Sequence, residues 1–183
     1  MICWRVAAID PVARARERGS MLWFPRTLQG EGRHDNPDLY GCVYVSAEAV
    51  GAIAESLAPF RGTGPLRPPM LRRAGTSLHL GKLTLAEHAI VLDLDDPRVL
   101  ARETLRPSQV ATRVRSITQG QAARLYEAHP EIAAIRWWST IESTLTNVTI
   151  FDRGARLLTL EESLALSTDD PEVFTAAELL GLV

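Results

Sequence analysis

The sequence is short of most signatures that announce a function. Its 183 residues include only two cysteines, Cys3 and Cys42, and four histidines, His34, His79, His88 and His129. The cysteines sit apart in apolar surroundings, Ile2-Cys3-Trp4 and Cys42-Val43-Tyr44, with no CxxC pair. They read as buried free thiols rather than a disulfide or ligand pair. The histidines have no HxH or HExxH spacing, so no metal site is expected. Twenty Lys and Arg face 22 Asp and Glu, a net charge of −2, which offers no electrostatic footprint for nucleic acid. No apolar run approaches a membrane span. Met1 to Asp10 lacks the basic region, apolar stretch and cleavage site of a signal peptide, so the expectation is a cytoplasmic protein. Two catalytic fingerprints are also missing. The glycines at 30 and 32 run into Arg33 in a loop with no strand before them, unlike GxGxxG, and no GxSxG surrounds a serine.

What is present is an ordinary globular composition, 46% apolar and 23% charged, with length for one domain. The pattern mixes strands and helices and predicts a single α+β domain over 1–183. Trp4 to Ile9 reads as a strand and Met21 to Phe24 as an extended piece, followed by a loop from Gln29 to Leu39. Gly41 to Ser46 reads as a strand, with Val43 and Val45 on one face and Cys42 and Tyr44 on the other. Ser46 is placed to cap a helix from Ala47 to about Ala58, with an apolar stripe of Val50, Ile53, Ala54 and Leu57. Arg61 to Gly75, rich in Pro, Gly and Arg, reads as a mobile loop. His88 to Leu94 reads as a buried strand. Asp96-Pro97 opens a helix to about Thr104, leaving Asp93 and Asp95 as solvated strand-end carboxylates. Thr118 with Gln121 suggests a capping box before a helix to about Ala128. Ile132 to Trp138 and Val148 to Phe151 are strands, and Asp170-Pro171 starts a last helix that Gly181 ends.

Four places could carry chemistry. Arg33, beside glycines, offers a planar fork matched to phosphate, or is a solvated arginine in a surface turn. Tyr44 either packs on the sheet or stacks on a ligand ring. Glu55 lies off the apolar stripe of its helix. It is either a solvated glutamate or, with small Gly51, Ala52 and Ala58 beside it, a carboxylate with room for a ligand. In Arg136-Trp137-Trp138-Ser139-Thr140, alternation puts Trp137 and Ser139 on one face, and Ser139 either closes a turn or meets a ligand.

These places occur in an order that resembles the RES-domain family, named for its arginine, glutamate and serine. The likeness runs through Trp4-Arg5-Val6, Gly32-Arg33, Val43-Tyr44-Val45-Ser46, Ala52-Ile53-Ala54-Glu55, Ile135-Arg136-Trp137-Trp138-Ser139 and Asn147-Val148-Thr149-Ile150-Phe151-Asp152. By that match Arg33, Glu55 and Ser139 are the name-giving trio and Tyr44 the aromatic partner. The chain departs from many relatives in placing His34 where they carry an aromatic residue, and Arg61 to Thr84 has no clear counterpart. The resemblance implies a mixed sheet with flanking helices and an NAD cleft like that of ADP-ribosyltransferase toxins. It implies NAD as substrate rather than cofactor, consumed by hydrolysis, or by phosphorolysis with inorganic phosphate. Many relatives are toxins restrained by a helix-turn-helix antitoxin. On this match Arg33 would clamp the pyrophosphate, Tyr44 would stack on a ring, Ser139 would hydrogen-bond the ligand and Glu55 would act on the ribose. Transfer of ADP-ribose to a protein, and a non-catalytic binding domain that keeps the fold, are the alternatives.

Overall fold

The computed structural model covers residues 1–183. Its centre is an eight-stranded sheet. The strands are β1 (Ile2–Ala8), β2 (Cys42–Ser46), β3 (Arg72–Arg73), β4 (Thr76–Leu85), β5 (Val91–Asp93), β6 (Ala134–Trp138), β7 (Thr146–Phe151) and β8 (Leu158–Ala165). The order is β3-β4-β1-β2-β7-β6-β5, with β8 also on β4. Only β5 and β6 run parallel; the other pairs are antiparallel. The helices are α1 (Ala49–Leu57), α2 (Pro97–Arg102), α3 (Pro107–Val110), α4 (Arg115–Ala128) and α5 (Pro171–Leu180). The predicted α+β class and mixed sheet are what the structure has.

Register explains the layering. Val43 pairs with Ile150 and Val45 with Val148, and these side chains join Cys3, Leu83 and Leu85 in an aliphatic core on one face. The alternate residues, Tyr44 opposite Thr149 and Ser46 opposite Asn147, point to the other face. That second face is covered twice. At the β5–β6 end, Ile135, Trp137, Leu100, Val110 and Leu125 form one core. At the β1–β4 end, α1 and α5 close another through Ile53, Leu57, Val173 and Ala177. Between the two helical groups the central strands stay partly open.

Several local expectations shift. Met21 to Phe24 is not a strand; Met21 and Leu22 are buried and bear on the sheet as irregular chain. Ser46 does not cap α1: its hydroxyl donates to the Thr146 carbonyl (2.9 Å), and Glu48 occupies the cap position with its carboxylate turned to the Thr146 N–H (3.1 Å) rather than to the helix. Gly51 is needed there, because a Cβ would collide with the Ser46 hydroxyl. The strand expected from His88 shortens to Val91–Asp93. The Arg61 to Gly75 stretch is not wholly a loose loop: Met70 and Leu71 are buried in a short 3-10 turn against α1 and α5. The helix expected after Thr118 begins three residues earlier, at Arg115, so Thr118 is inside α4 rather than capping it. Asp96 does cap α2, accepting from the Arg98 N–H (2.8 Å), and Gly181 ends α5 in the left-handed conformation.

Candidate functional site

The open middle of the second face is a cleft of about 330 Å³, within the range of small-molecule sites. Trp4, Arg33, Tyr44, Glu55, Arg115 and Asn147 are among the residues that line it. Three of the four expected site residues are therefore in one place, though 11 residues or more separate each from the next in sequence. The fourth, Ser139, stands directly behind.

Glu55 projects from the solvent side of α1 at the rim. Its Oε1 accepts from Ser139 Oγ (2.8 Å) and Asn147 Nδ2 (2.6 Å). Its Oε2 bonds to nothing in the chain, so one carboxylate oxygen is anchored and the other is free. Ser139 is 2% exposed, and its oxygen also accepts from the Ile141 N–H (3.0 Å). The serine hydroxyl is thus committed to holding Glu55. Asn147 carried no signal of its own beyond its place in the strand motif; its role follows from the β2–β7 register.

Arg33 overturns the picture of a solvated loop arginine. It is 5% exposed. Its Nη1 donates to the Val110 and Thr112 carbonyls, both at 2.8 Å, and its guanidinium lies 4.8 Å from the centre of the Trp137 ring. Nε and Nη2 have no partner in the chain. The only buried side-chain polar atoms lacking a partner are Ser20 Oγ and Ser163 Oγ, so these two donors are open to the cleft that Arg33 lines. Burial, with the charge of nearby Arg115, pulls the Arg33 pKa below its ordinary value, while Glu55 acts the other way.

The loop around Arg33 is held by a buckle that sequence inspection missed. Asp35 accepts from the Gly30 and Gly32 N–H groups (2.9 and 2.7 Å) and from the Tyr44 hydroxyl (2.7 Å). Tyr44 in turn accepts from the His34 N–H (2.8 Å). A Cβ on Gly32 would lie 2.5 Å from both Asp35 Oδ1 and the Tyr44 oxygen, so no side chain fits. Burial alone would raise the Asp35 carboxyl, but these donors outweigh it and hold it below the usual carboxylate range. Burial pushes the Tyr44 phenol up, keeping it protonated as the donor. Tyr44 is thus tied to the loop by its hydroxyl while its body lines the cleft.

His34, the departure from many relatives, serves as an aromatic ring. Burial and then the Arg33 charge lower its pKa to about 3, so it is neutral at pH 7. It packs edge-on to Trp137, with centroids 5.2 Å apart. Thr149 Oγ1 accepts from Trp137 Nε1 (3.1 Å) and shares a hydrogen bond with His34 Nδ1 (2.8 Å). No three His, Cys, Asp or Glu side chains come together as metal ligands would.

The RES domain model matches residues 2–171. The chain belongs to the RES-domain family. Among solved structures, this RES domain is similar to a chain of the crystal structure of the M. tuberculosis MbcT–MbcA toxin–antitoxin complex. The TM-score is 0.65 at 17% identity, over 98% of this chain and 88% of that one. That likeness carries the fold. A comparison with curated protein sequences finds no match. No helix of the RES domain is long and apolar enough to cross a membrane.

Proposed function

We propose that the cleft takes NAD as substrate, without a further cofactor, and breaks its nicotinamide–ribose bond. The observation that carries this reading is the half-anchored Glu55 carboxylate facing the same cleft as the free donors of Arg33. The nicotinamide of NAD is a cationic leaving group and departs with the electron pair of the C–N bond as a neutral base, so no strong acid is needed. Positive charge then builds on the ribose, as in other glycoside cleavages. A carboxylate fixed in advance stabilises that charge without reorganising. Ser139 and Asn147 position Glu55, and Arg33 clamps the pyrophosphate through Nε and Nη2. Water as acceptor yields ADP-ribose and a proton. Inorganic phosphate as acceptor yields an ADP-ribose phosphate.

Membership in the RES family, and the likeness to a chain of a toxin–antitoxin complex, support a toxin-like role with an antitoxin partner. On the family resemblance that partner is of helix-turn-helix type and the role is cytoplasmic. The test is to incubate the purified chain with NAD, with and without phosphate, and follow nicotinamide and the ribosyl product. Nicotinamide release is expected, and the product names the acceptor. NAD left intact by folded protein overturns the reading. Expression in a bacterial host should slow growth, and Glu55→Gln should relieve it. Equal growth at equal protein levels overturns the toxin role.

A further inference from the structure

The cationic side of the cleft extends beyond Arg33. Arg115, the first residue of α4, lines the same cleft. Helix physics disfavours an arginine there, because the unpaired N–H groups of a first turn already carry positive partial charge. α4 is a 14-residue helix with no acidic residue in its first turn and no side-chain cap at Val114. Arg113 adds a further cation two residues earlier, and its charge and that of Arg115 both bear unfavourably on Arg33. No side chain neutralises the pair: Arg113 and Arg115 take part in none of the ion pairs of the structure. Independently, Arg33 is more than nine-tenths buried and lines this volume, with Nε and Nη2 unpartnered within the chain.

The two arms are also locked together. Within α4, Thr118 Oγ1 donates to the Arg33 carbonyl (2.6 Å). Gln119 Nε2 donates to the Gly30 and Gly32 carbonyls, both at 2.9 Å. The start of α4 and the Arg33 loop therefore form one body. Like charges held close, with Glu55 on the same cleft but no ion pair to either arginine, and fixed by hydrogen bonds, are what an anion subsite requires and what a merely structural loop avoids.

We propose that Arg33, Arg115 and the first turn of α4 form a two-armed subsite for the phosphate-bearing part of the ligand. Arg115 is the residue that selects phosphorylated over unphosphorylated ligands. The identity of that ligand as an NAD-derived pyrophosphate rests on the function proposed above. The test measures calorimetric binding of inorganic pyrophosphate, ADP-ribose and nicotinamide riboside to the full chain, as wild type, Arg115→Ala and Arg115→Lys. Because Arg115 is exposed, its variants should melt like the wild type without ligand. Arg115→Ala is expected to weaken pyrophosphate and ADP-ribose by about ten- to a hundredfold, the range for a charge-assisted hydrogen bond. Nicotinamide riboside should be unaffected, and Arg115→Lys should recover part of the loss. Unchanged binding of ADP-ribose and pyrophosphate by Arg115→Ala overturns the role of Arg115 and leaves the NAD reading standing. Equal weakening of all three probes also overturns it. A wild type that binds neither ADP-ribose nor pyrophosphate overturns both.

Discussion

Strands β2 and β7 have two faces built from alternate residues of the same ten or so positions, and the faces do opposite jobs. One presents Val43, Val45, Val148 and Ile150, all at most 3% exposed, to an aliphatic core. The other presents Tyr44, Ser46, Asn147 and Thr149, whose polar atoms are bonded to Asp35, Thr146, Glu55 and His34. The aliphatic face holds the sheet by burial, which is non-directional and tolerant of detail. The polar face holds a constellation by hydrogen bonds, each with a direction and a single best partner. Period-two alternation lets one pair of strands do both, and the site rests on rigid elements.

The sharpest way to break the comparison is to damage one face at a time. Ile150→Ala removes a fully buried side chain from the aliphatic face and should cost about 2–5 kcal/mol in denaturant unfolding, leaving turnover per folded molecule unchanged. On the proposed function, Glu55→Gln should do the reverse. It keeps the acceptor for Ser139 and Asn147, so melting should barely move, while NAD turnover should fall by about a hundredfold or more. If both readouts move together in either variant, the division between the faces is wrong.

Arg33 crosses the division, and Arg33→Ala should show it. The change strands the carbonyls of Val110 and Thr112 and removes a cation from the Trp137 ring, an expected loss of about 1–3 kcal/mol in a thermal melt, together with the loss of pyrophosphate binding. A melt equal to wild type would return Arg33 to the status of a surface residue. The smallest effect is in pH. His34 has its folded pKa lowered from 6.5 to about 3, so the unfolded chain takes up a proton that the folded one refuses. That contribution is neutral above pH 6.5, and stability falls as pH drops through the window below it. Between pH 6.5 and 5 the lowered carboxylate Asp35 does not yet titrate, so His34→Gln should flatten the slope there. An unchanged slope would mean that His34 is not the group responsible.

Parts of this were legible along the chain. The alternation of Val43 and Val45 against Cys42 and Tyr44 is local, and so are the Asp96-Pro97 start and the Gly181 stop; each appears where expected. β4 was hidden because its apolar residues change face midway. Leu78 and Leu80 share the face of Val6, whereas Leu83 and Leu85 share that of Cys3, so no single alternation runs through it. β8 was hidden because it lies at the sheet edge, where Leu160 and Leu164 stay exposed.

The amino-acid order alone determined the class of the domain and the names of its chemical groups. Residue type and periodicity left Arg33, Tyr44, Glu55 and Ser139 each open to a structural reading, and they stood out as a set only through their order, which resembles that of the RES family. What each group does was decided only by the tertiary structure. Ser139 and Glu55 meet across 84 positions, Arg33 and Thr112 across 79, and Thr118 and Arg33 across 85. A serine reads as a ligand contact or as a support, and an arginine as solvated or buried, until the partner is known. Strand register and helix packing choose that partner, and both emerge from burying apolar surface over the whole chain.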